Sequence, residues 1–412
     1  MRVRPRLALS VAFSAIALLL ELAPPGEAIV SEPIPSRRFA FVYEVDVPPL
    51  AAAAAPFRLW LPLPPNDTYQ EVSDLTVESP FDPEIQTEPE YGNRFAYFEL
   101  APQDARPGFK VRLSFTALRR EHRVDSHALA QASDRAASPA PELSRFLAPD
   151  HLVPTDGVIA ALAREQTAGA RTPEEKARRI YDYVVSTMRY DKSGDGWGRG
   201  DAVWACSSKR GNCTDFHSLL IGMMRASGIP ARFEIGFPLP ADRTQSDITG
   251  YHCWAEFYLD GVGWVPVDAS EAAKNPARRE YFFGAHDDNR VLFTRGRDLR
   301  LSPEQKGAPL NYFIYPYAEL GDQPYAGLEK RFTFREIEAR ADAPDREGTA
   351  SARRAQLRPH LERARAEEGL LVPAREPRSR FAAELDQAGV VTEVGLRVVR
   401  APHEASGAEA LR

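Results

Sequence analysis

The hydrophobic period changes along this chain, and that change constrains the fold more than any other feature. From Phe39 to Phe115, apolar residues recur at every second position in Phe39-Phe41-Tyr43-Val45, Phe57-Leu59-Leu61, Phe95-Tyr97 and Phe109-Val111-Leu113-Phe115. Pro, Asn, Asp and Gly separate these runs, so each turns one face to a core, and an antiparallel β-sandwich over 37–120 is the natural reading. From about Asp156 the spacing becomes three and four. Thr172, Pro173 and Glu175 form a capping box, and Ala177, Ile180, Tyr181, Val184, Val185 and Met188 then mark one helix face. A second helix is expected from Cys213 to Ala226, ended by Gly228. Two strand-like runs follow, Tyr251 to Leu259 and Val262 to Asp268.

The flanking segments read differently. The Ala/Ser-rich stretch Ser126 to Ala140 has no period, which places a linker over 121–142 and the mixed helix and strand core over 143–280. Residues 281–337 return to a β-rich pattern that either forms a third small domain or extends the first. Residues 338–412 turn to Arg, Ala, Glu and Pro with few aromatics, so they are read as a mostly disordered tail with short helical stretches near Leu357 to Glu368. At the start, Arg2, Arg4 and Arg6 precede an apolar run from Leu7 to Leu20, and Gly26-Glu27-Ala28 follows Pro24-Pro25, the form of a signal peptide over 1–28 cut after Ala28. That run is shorter than the roughly 20 residues that span a bilayer. No later run reaches that length, so the expectation is an exported protein, periplasmic or extracellular, with no stable membrane span after cleavage.

Charge and cysteine content narrow the partners. Lys+Arg number 52 against 58 Asp+Glu, a net charge of -6, so no basic surplus exists to neutralise nucleic-acid phosphates. Three cysteines, Cys206, Cys213 and Cys253, cannot staple a scaffold, and an odd count leaves at least one thiol free or paired between molecules.

One constellation carries chemistry. Arg210-Gly211-Asn212-Cys213-Thr214-Asp215-Phe216-His217 puts a cysteine at the start of the second helix. There, unpaired backbone N–H groups and the positive dipole end favour thiolate over thiol. A helix terminus supplies roughly 0.3–1 kcal/mol, up to about 2 when partly buried, and one pKa unit is about 1.36 kcal/mol. The terminus alone therefore lowers a thiol by about one unit, and a strong nucleophile needs a second contributor, usually an imidazolium. His252 supplies the imidazole, on a strand whose one face carries His252, Trp254, Glu256 and Tyr258. A two-residue Asp260-Gly261 turn would aim Asp268 at the other face. A three-residue loop Leu259-Asp260-Gly261 with a left-handed Gly261 sets His252 directly opposite Asp268, and this bulged hairpin is the expected register. A carboxylate there holds one ring nitrogen and directs the other at Cys213.

Together, Gly-Asn-Cys-Thr-Asp-Phe-His, Gly228-Ile229-Pro230-Ala231-Arg232, Tyr251-His252-Cys253-Trp254-Ala255-Glu256-Phe257 and Gly263-Trp264-Val265-Pro266-Val267-Asp268 resemble the transglutaminase-like superfamily, most of all its exported bacterial members with an N-terminal β-domain. The resemblance covers about Asp156 to Asp268. It implies an α+β chain, a papain/transglutaminase-like core of helices on an antiparallel sheet. It also implies a Cys-His-Asp triad of Cys213, His252 and Asp268, which lie 39 and 16 residues apart. The implied chemistry is acyl transfer on protein or peptide amides through a thioester, with the Cys213 backbone N–H as one oxyanion donor and Tyr190 or Trp204 as the second. A cysteine peptidase or amidase with the same triad, or a non-catalytic envelope binding or scaffold protein, are the competing readings.

Weaker signals are set aside. Asp191, Ser193, Asp195 and Gly196 open like a calcium loop, but its twelfth position is Ala202 where a bidentate Glu is needed. Arg199-Gly200-Asp201 is read as chance. A zinc site from Cys206, Cys213, His217 and Cys253 lacks paired spacing, and His252 and Cys253 are expected on opposite strand faces. No metal and no cofactor is therefore expected. With Cys213 as nucleophile, Cys206 and Cys253 are left as an even pair that could bridge or stay as buried thiols.

Overall fold

The computed structural model describes residues 34–50, 55–130, 141–337 and 396–401. The signal-peptide reading of 1–28, the linker residues 131–140 and the helical stretches expected near Leu357 to Glu368 lie outside the described residues.

Period-2 runs form strands because alternation gives each a buried face. In Ser36–Val47 burial alternates residue by residue, with Phe39, Phe41, Tyr43 and Val45 inside. This strand pairs antiparallel with Phe109–Arg120, setting Phe41 opposite Phe115 with the rings stacked at 5.2 Å. Two sheets result. The six-stranded one runs in the order Gln245–Ile248, Glu329–Glu336, Ser36–Val47, Phe109–Arg120, Gln70–Ser79 and Arg397–Arg400. The five-stranded one runs Gln323–Pro324, Tyr317–Leu320, Phe57–Pro62, Arg94–Leu100 and Glu84–Thr87. Phe57 of the second sheet meets Phe109 of the first with ring centroids 6.0 Å apart.

Segments that read as separate in sequence are interleaved in space. The 281–337 region forms no unit of its own. Its strands Tyr317–Leu320 and Glu329–Glu336 extend the N-terminal sheets, while Arg290–Arg295 joins the sheet of the core. Phe237 and Phe293 of that core sheet pack on Phe41 at 5.5 and 5.7 Å, so the N-terminal β-region and the core share apolar surface. The expected linker is structured where it is described: His122–Arg123 pairs with Ala285–His286, and Leu129 is buried against Gly284. In the expected disordered tail, Arg397–Arg400 form a strand parallel to the edge of Gln70–Ser79. All four of its side chains are exposed, so main-chain hydrogen bonding to an open edge, invisible to a hydrophobicity argument, accounts for it.

The core is helices on an antiparallel sheet, as the resemblance implies. Its strands run in the order Gly263–Val267, His252–Leu259, Ala231–Pro238 and Arg290–Arg295, every pair antiparallel. The helix Cys213–Ala226 lies against them, covered by Gly157–Gln166, Pro173–Thr187 and Ala202–Ser208, and it is buried from Cys213 to Arg225. On Pro173–Thr187 the expected cap is present: Glu175 N–H donates to Thr172 Oγ1 at 3.0 Å, and the Glu175 carboxylate accepts from Arg171 N–H at 2.6 Å.

The hairpin departs from the expected register. Leu259 pairs with Gly263 and Ala255 with Val267, leaving Asp260, Gly261 and Val262 as a three-residue loop with Gly261 at φ +80°. Loop length and the left-handed glycine are as anticipated, but the loop lies one residue further along. Asp268 therefore falls in the row of Trp254, on the same face as His252 and diagonal to it. Strand pairing ends at Val267, and Asp268 instead caps the helix Ala269–Lys274, accepting from Glu271 N–H. The helix start, not cross-strand pairing, sets its position.

Candidate active site

Cys213 owes its place to the cap before it. Asn212 accepts from Thr214 N–H at 2.9 Å, and the Asp215 carboxylate reaches back to Asn212 N–H at 2.9 Å. Asp215 also accepts from Gly198 N–H at 2.7 Å and Gly200 N–H at 3.0 Å, tying the glycine-rich loop to the helix start. Burial pushes the Asp215 carboxyl up to about 6 despite these donors. Gly211 must be glycine here, because a Cβ would come within 2.3 Å of Asp215 Oδ2 at a φ of +146°.

His252 and Asp268 meet as intended, by the diagonal route. His252 Nε2 lies 2.7 Å from Asp268 Oδ2, which leaves Nδ1 for the thiol. Asp268 is wholly buried, and each oxygen has further donors: Arg290 at 3.2 Å on Oδ2, with the Ser270 hydroxyl and Glu271 N–H both at 3.0 Å on Oδ1. Burial opposes its ionisation, but His252 and Arg290 outweigh that and hold it well below the usual carboxylate range. Burial likewise opposes the imidazolium, yet Asp268 and Cys213 raise His252 to about 9. The Cys213 thiol is 2 % exposed. Burial pushes it up, and hydrogen bonds from Cys253 and His252, the His252 charge and the Cys253 backbone N–H pull it well below an ordinary thiol. Within this buried row the neighbouring groups favour the thiolate of Cys213, the imidazolium of His252 and the carboxylate of Asp268.

Several participants escaped the sequence reading. Cys253, expected to face away, donates to Cys213, and its own thiol is pushed up by burial and by that bond. All three cysteines are free thiols, so Cys206 and Cys253 are not bridged. His217 lies one helical turn after Cys213, with Nδ1 2.8 Å from the Cys213 carbonyl and 3.7 Å from Cys253 Sγ, and its Nε2 is 3.5 Å from Asp268 Oδ1. Burial holds it neutral, so Nδ1–H donates to the carbonyl. The i, i+4 spacing of Cys213 and His217 was a signal that could have found it. Arg290 had none: it arrives from the strand beyond Ala231–Pro238, which bulges at Gly236, where a Cβ would strike Val291 O at 1.8 Å.

Aromatic rings surround the thiol. Tyr251 accepts from Asn212 Nδ2 at 3.0 Å and lies 5.6 Å from the Tyr312 ring and 6.0 Å from Tyr315. Of the two suggested oxyanion donors, Tyr190 feels the charge of Cys213 and carries Lys274 4.7 Å over its ring. Trp204 lies instead against Gly196 and beneath Arg210.

Residues 160–269, which hold Cys213, His252 and Asp268, match the family model of the transglutaminase-like superfamily. An uncharacterized protein of Haemophilus influenzae is 29 % identical over 326 residues, 71 % of this chain and 88 % of its own length. A candidate cysteine protease from Cytophaga hutchinsonii, 16 % identical, superposes with a TM-score of 0.51 over 76 % of this chain and 93 % of that one, a likeness of fold alone. The periplasmic domain of TgpA from Pseudomonas aeruginosa is 19 % identical over 57 % of this chain and 96 % of that domain, with a TM-score of 0.27. Among the described residues no helix is long and apolar enough to cross a membrane. Residues 160–269 thus resemble the transglutaminase-like superfamily, and the chain shares its fold with the Cytophaga protein.

Proposed function

We propose that this protein is an exported cysteine enzyme that transfers acyl groups from protein or peptide amides through a Cys213 thioester. The observation that carries the reading is the contact of His252 Nε2 with Asp268 Oδ2 at 2.7 Å, on the ring whose hydrogen bond to Cys213 pulls that thiol well below an ordinary one. Cys213 Sγ attacks the amide carbonyl carbon, and the charge on the carbonyl oxygen is taken up partly by the Cys213 backbone N–H. As the C–N bond breaks, His252 gives its proton to the leaving ammonia or amine. The neutral imidazole then takes a proton from an incoming amine or water, which attacks the thioester and releases Cys213. Asp268 keeps the ring oriented and stabilises each imidazolium, with Arg290, Ser270 and Glu271 N–H fixing the carboxylate.

Transferase and hydrolase differ in the resolving nucleophile. The test is incubation of the protein with a glutamine-containing protein and a labelled amine, beside Cys213→Ala. Amine incorporation lost in C213A identifies a transferase. New peptide ends lost in C213A identify a peptidase, the class to which the Cytophaga protein is ascribed. Neither product, together with slow, equal alkylation of all three cysteines, overturns the enzyme reading in favour of a binding protein.

A further inference from the structure

Away from Cys213, three buried side chains converge without a role in the chemistry above. His122 and His286 are directly opposed across the short pairing of His122–Arg123 with Ala285–His286, and Glu256 comes from the strand that carries His252. Their exposures are 4 %, 0 % and 4 %. One donor atom from each lies within 4.8 Å of the others. Glu256 Oε2 is held by Arg232 Nε at 2.6 Å, which leaves Oε1 turned to His122 Nδ1 at 3.2 Å. Neither ring nitrogen of His286 has a hydrogen-bond partner among the described residues. Buried polar atoms are nearly always satisfied, so an imidazole with two dry nitrogens points to something bound.

The donor chemistry narrows what that is. Two imidazoles and one carboxylate are a zinc-type set. Donor atoms 4.8 Å apart sit about 2.8 Å from their common centre, so reaching Zn–N and Zn–O bonds of about 2.0–2.1 Å takes less than about 1 Å of movement each. The rings are already oriented, with Tyr69 stacked on His122 at 3.7 Å and Trp254 edge-on to His286 at 5.9 Å. Arg290 opposes a cation at His286, and Glu256 and Asp268 favour one. We propose that His122, Glu256 and His286 bind one Zn²⁺, with water as fourth ligand. The ion braces the His252 strand against the segment that leaves the N-terminal β-region. Trp254, 5.8 Å from the His252 ring, separates it from the reacting atoms.

The test uses the full chain, stripped by a chelator and titrated with Zn²⁺, with bound metal counted by mass spectrometry and Tm followed. One Zn²⁺ per chain and a raised Tm are expected. His286→Gln breaks no hydrogen bond of this structure, and its loss of affinity should exceed the roughly 10–100-fold that losing a hydrogen-bond partner of a ligand costs. Because active-site thiols are competing ligands, Co²⁺ reports the donors: d–d bands without a thiolate charge-transfer band support the site. No stoichiometric Zn²⁺, unchanged affinity in H286Q, or a charge-transfer band that vanishes in C213A each overturn it. Should H286Q fail to fold, His122→Gln carries the same comparison.

Discussion

Asp268→Asn separates the charge of this residue from its shape. An asparagine still caps the helix Ala269–Lys274 and can accept from Ser270 and Glu271 N–H, and Arg290 keeps Asp287 at 3.3 Å, so the fold should survive. What is lost is the anion 2.7 Å from His252 Nε2. The imidazole stands at about 9 against an ordinary 6.5, which corresponds to about 3 kcal/mol at roughly 1.36 kcal/mol per unit. Asp268 is the largest of the contributors that raise it, ahead of Cys213, so D268N should lower His252 by more than about one unit. Two alkylating agents read this. Iodoacetamide follows the thiolate, whereas anionic iodoacetate prefers a thiolate beside an imidazolium, so its rate falls when His252 loses its proton. The iodoacetate profile for Cys213 should be bell-shaped with an alkaline limb near pH 9 in the parent, and that limb should move down by more than about one unit in D268N. An alkaline limb that stays put refutes the assignment of Asp268 as the group holding His252 charged. A single ordinary thiol titration in the parent refutes the ion pair itself.

Three further outcomes follow from the same geometry. Gly211→Ala drives a Cβ into Asp215 and breaks its bond to Asn212 N–H, so urea denaturation should show a loss of about 1–3 kcal/mol and labelling of Cys213 should slow; parental values in both would contradict the close approach. Cys253→Ala removes a donor to the Cys213 thiolate and should move the acid limb of iodoacetamide labelling up by roughly one unit, with Cys253→Ser restoring it. Because the folded state raises His252, its contribution to stability is complete below its unfolded value of 6.5 and disappears as pH rises through about 9. The depressed Cys213 thiol contributes with the opposite sign over the same window, so the His252 contribution is read in Cys213→Ala, where urea stability should fall as pH rises above 6.5 and adding His252→Gln should remove most of that slope.

The legible parts of the chain were those set by neighbours in sequence. Thr172 with Glu175 announces its helix because a cap is satisfied within one turn, whereas the equivalent Asn212 and Asp215 pair was evident only in the structure. Alternation in Ser36–Val47 gives its buried face directly. The register of the hairpin was off by one loop position because loops of equal length can begin at either residue, and the choice depends on what the strands pack against. The contact of the free Cys253 with Cys213 was not legible, because the thiol hydrogen-bonds to His252 as well as to the N–H and thiol of the next residue, and strand alternation does not reveal where a nucleophile from another element sits.

By itself the sequence determined a cysteine at a helix start, a histidine on a strand and an aspartate at the end of the next, since local periodicity and capping place each on its element. Tertiary structure alone decided that strands from 317–320, 329–336 and 397–400 complete the N-terminal sheets, and that Arg290 neutralises Asp268. It alone decided, too, that His122, Glu256 and His286 share one buried spot. The physical reason is common to all of these. Edge pairing and buried charge balance depend on which distant segments become neighbours when apolar faces are covered, and no spacing along the chain encodes that adjacency.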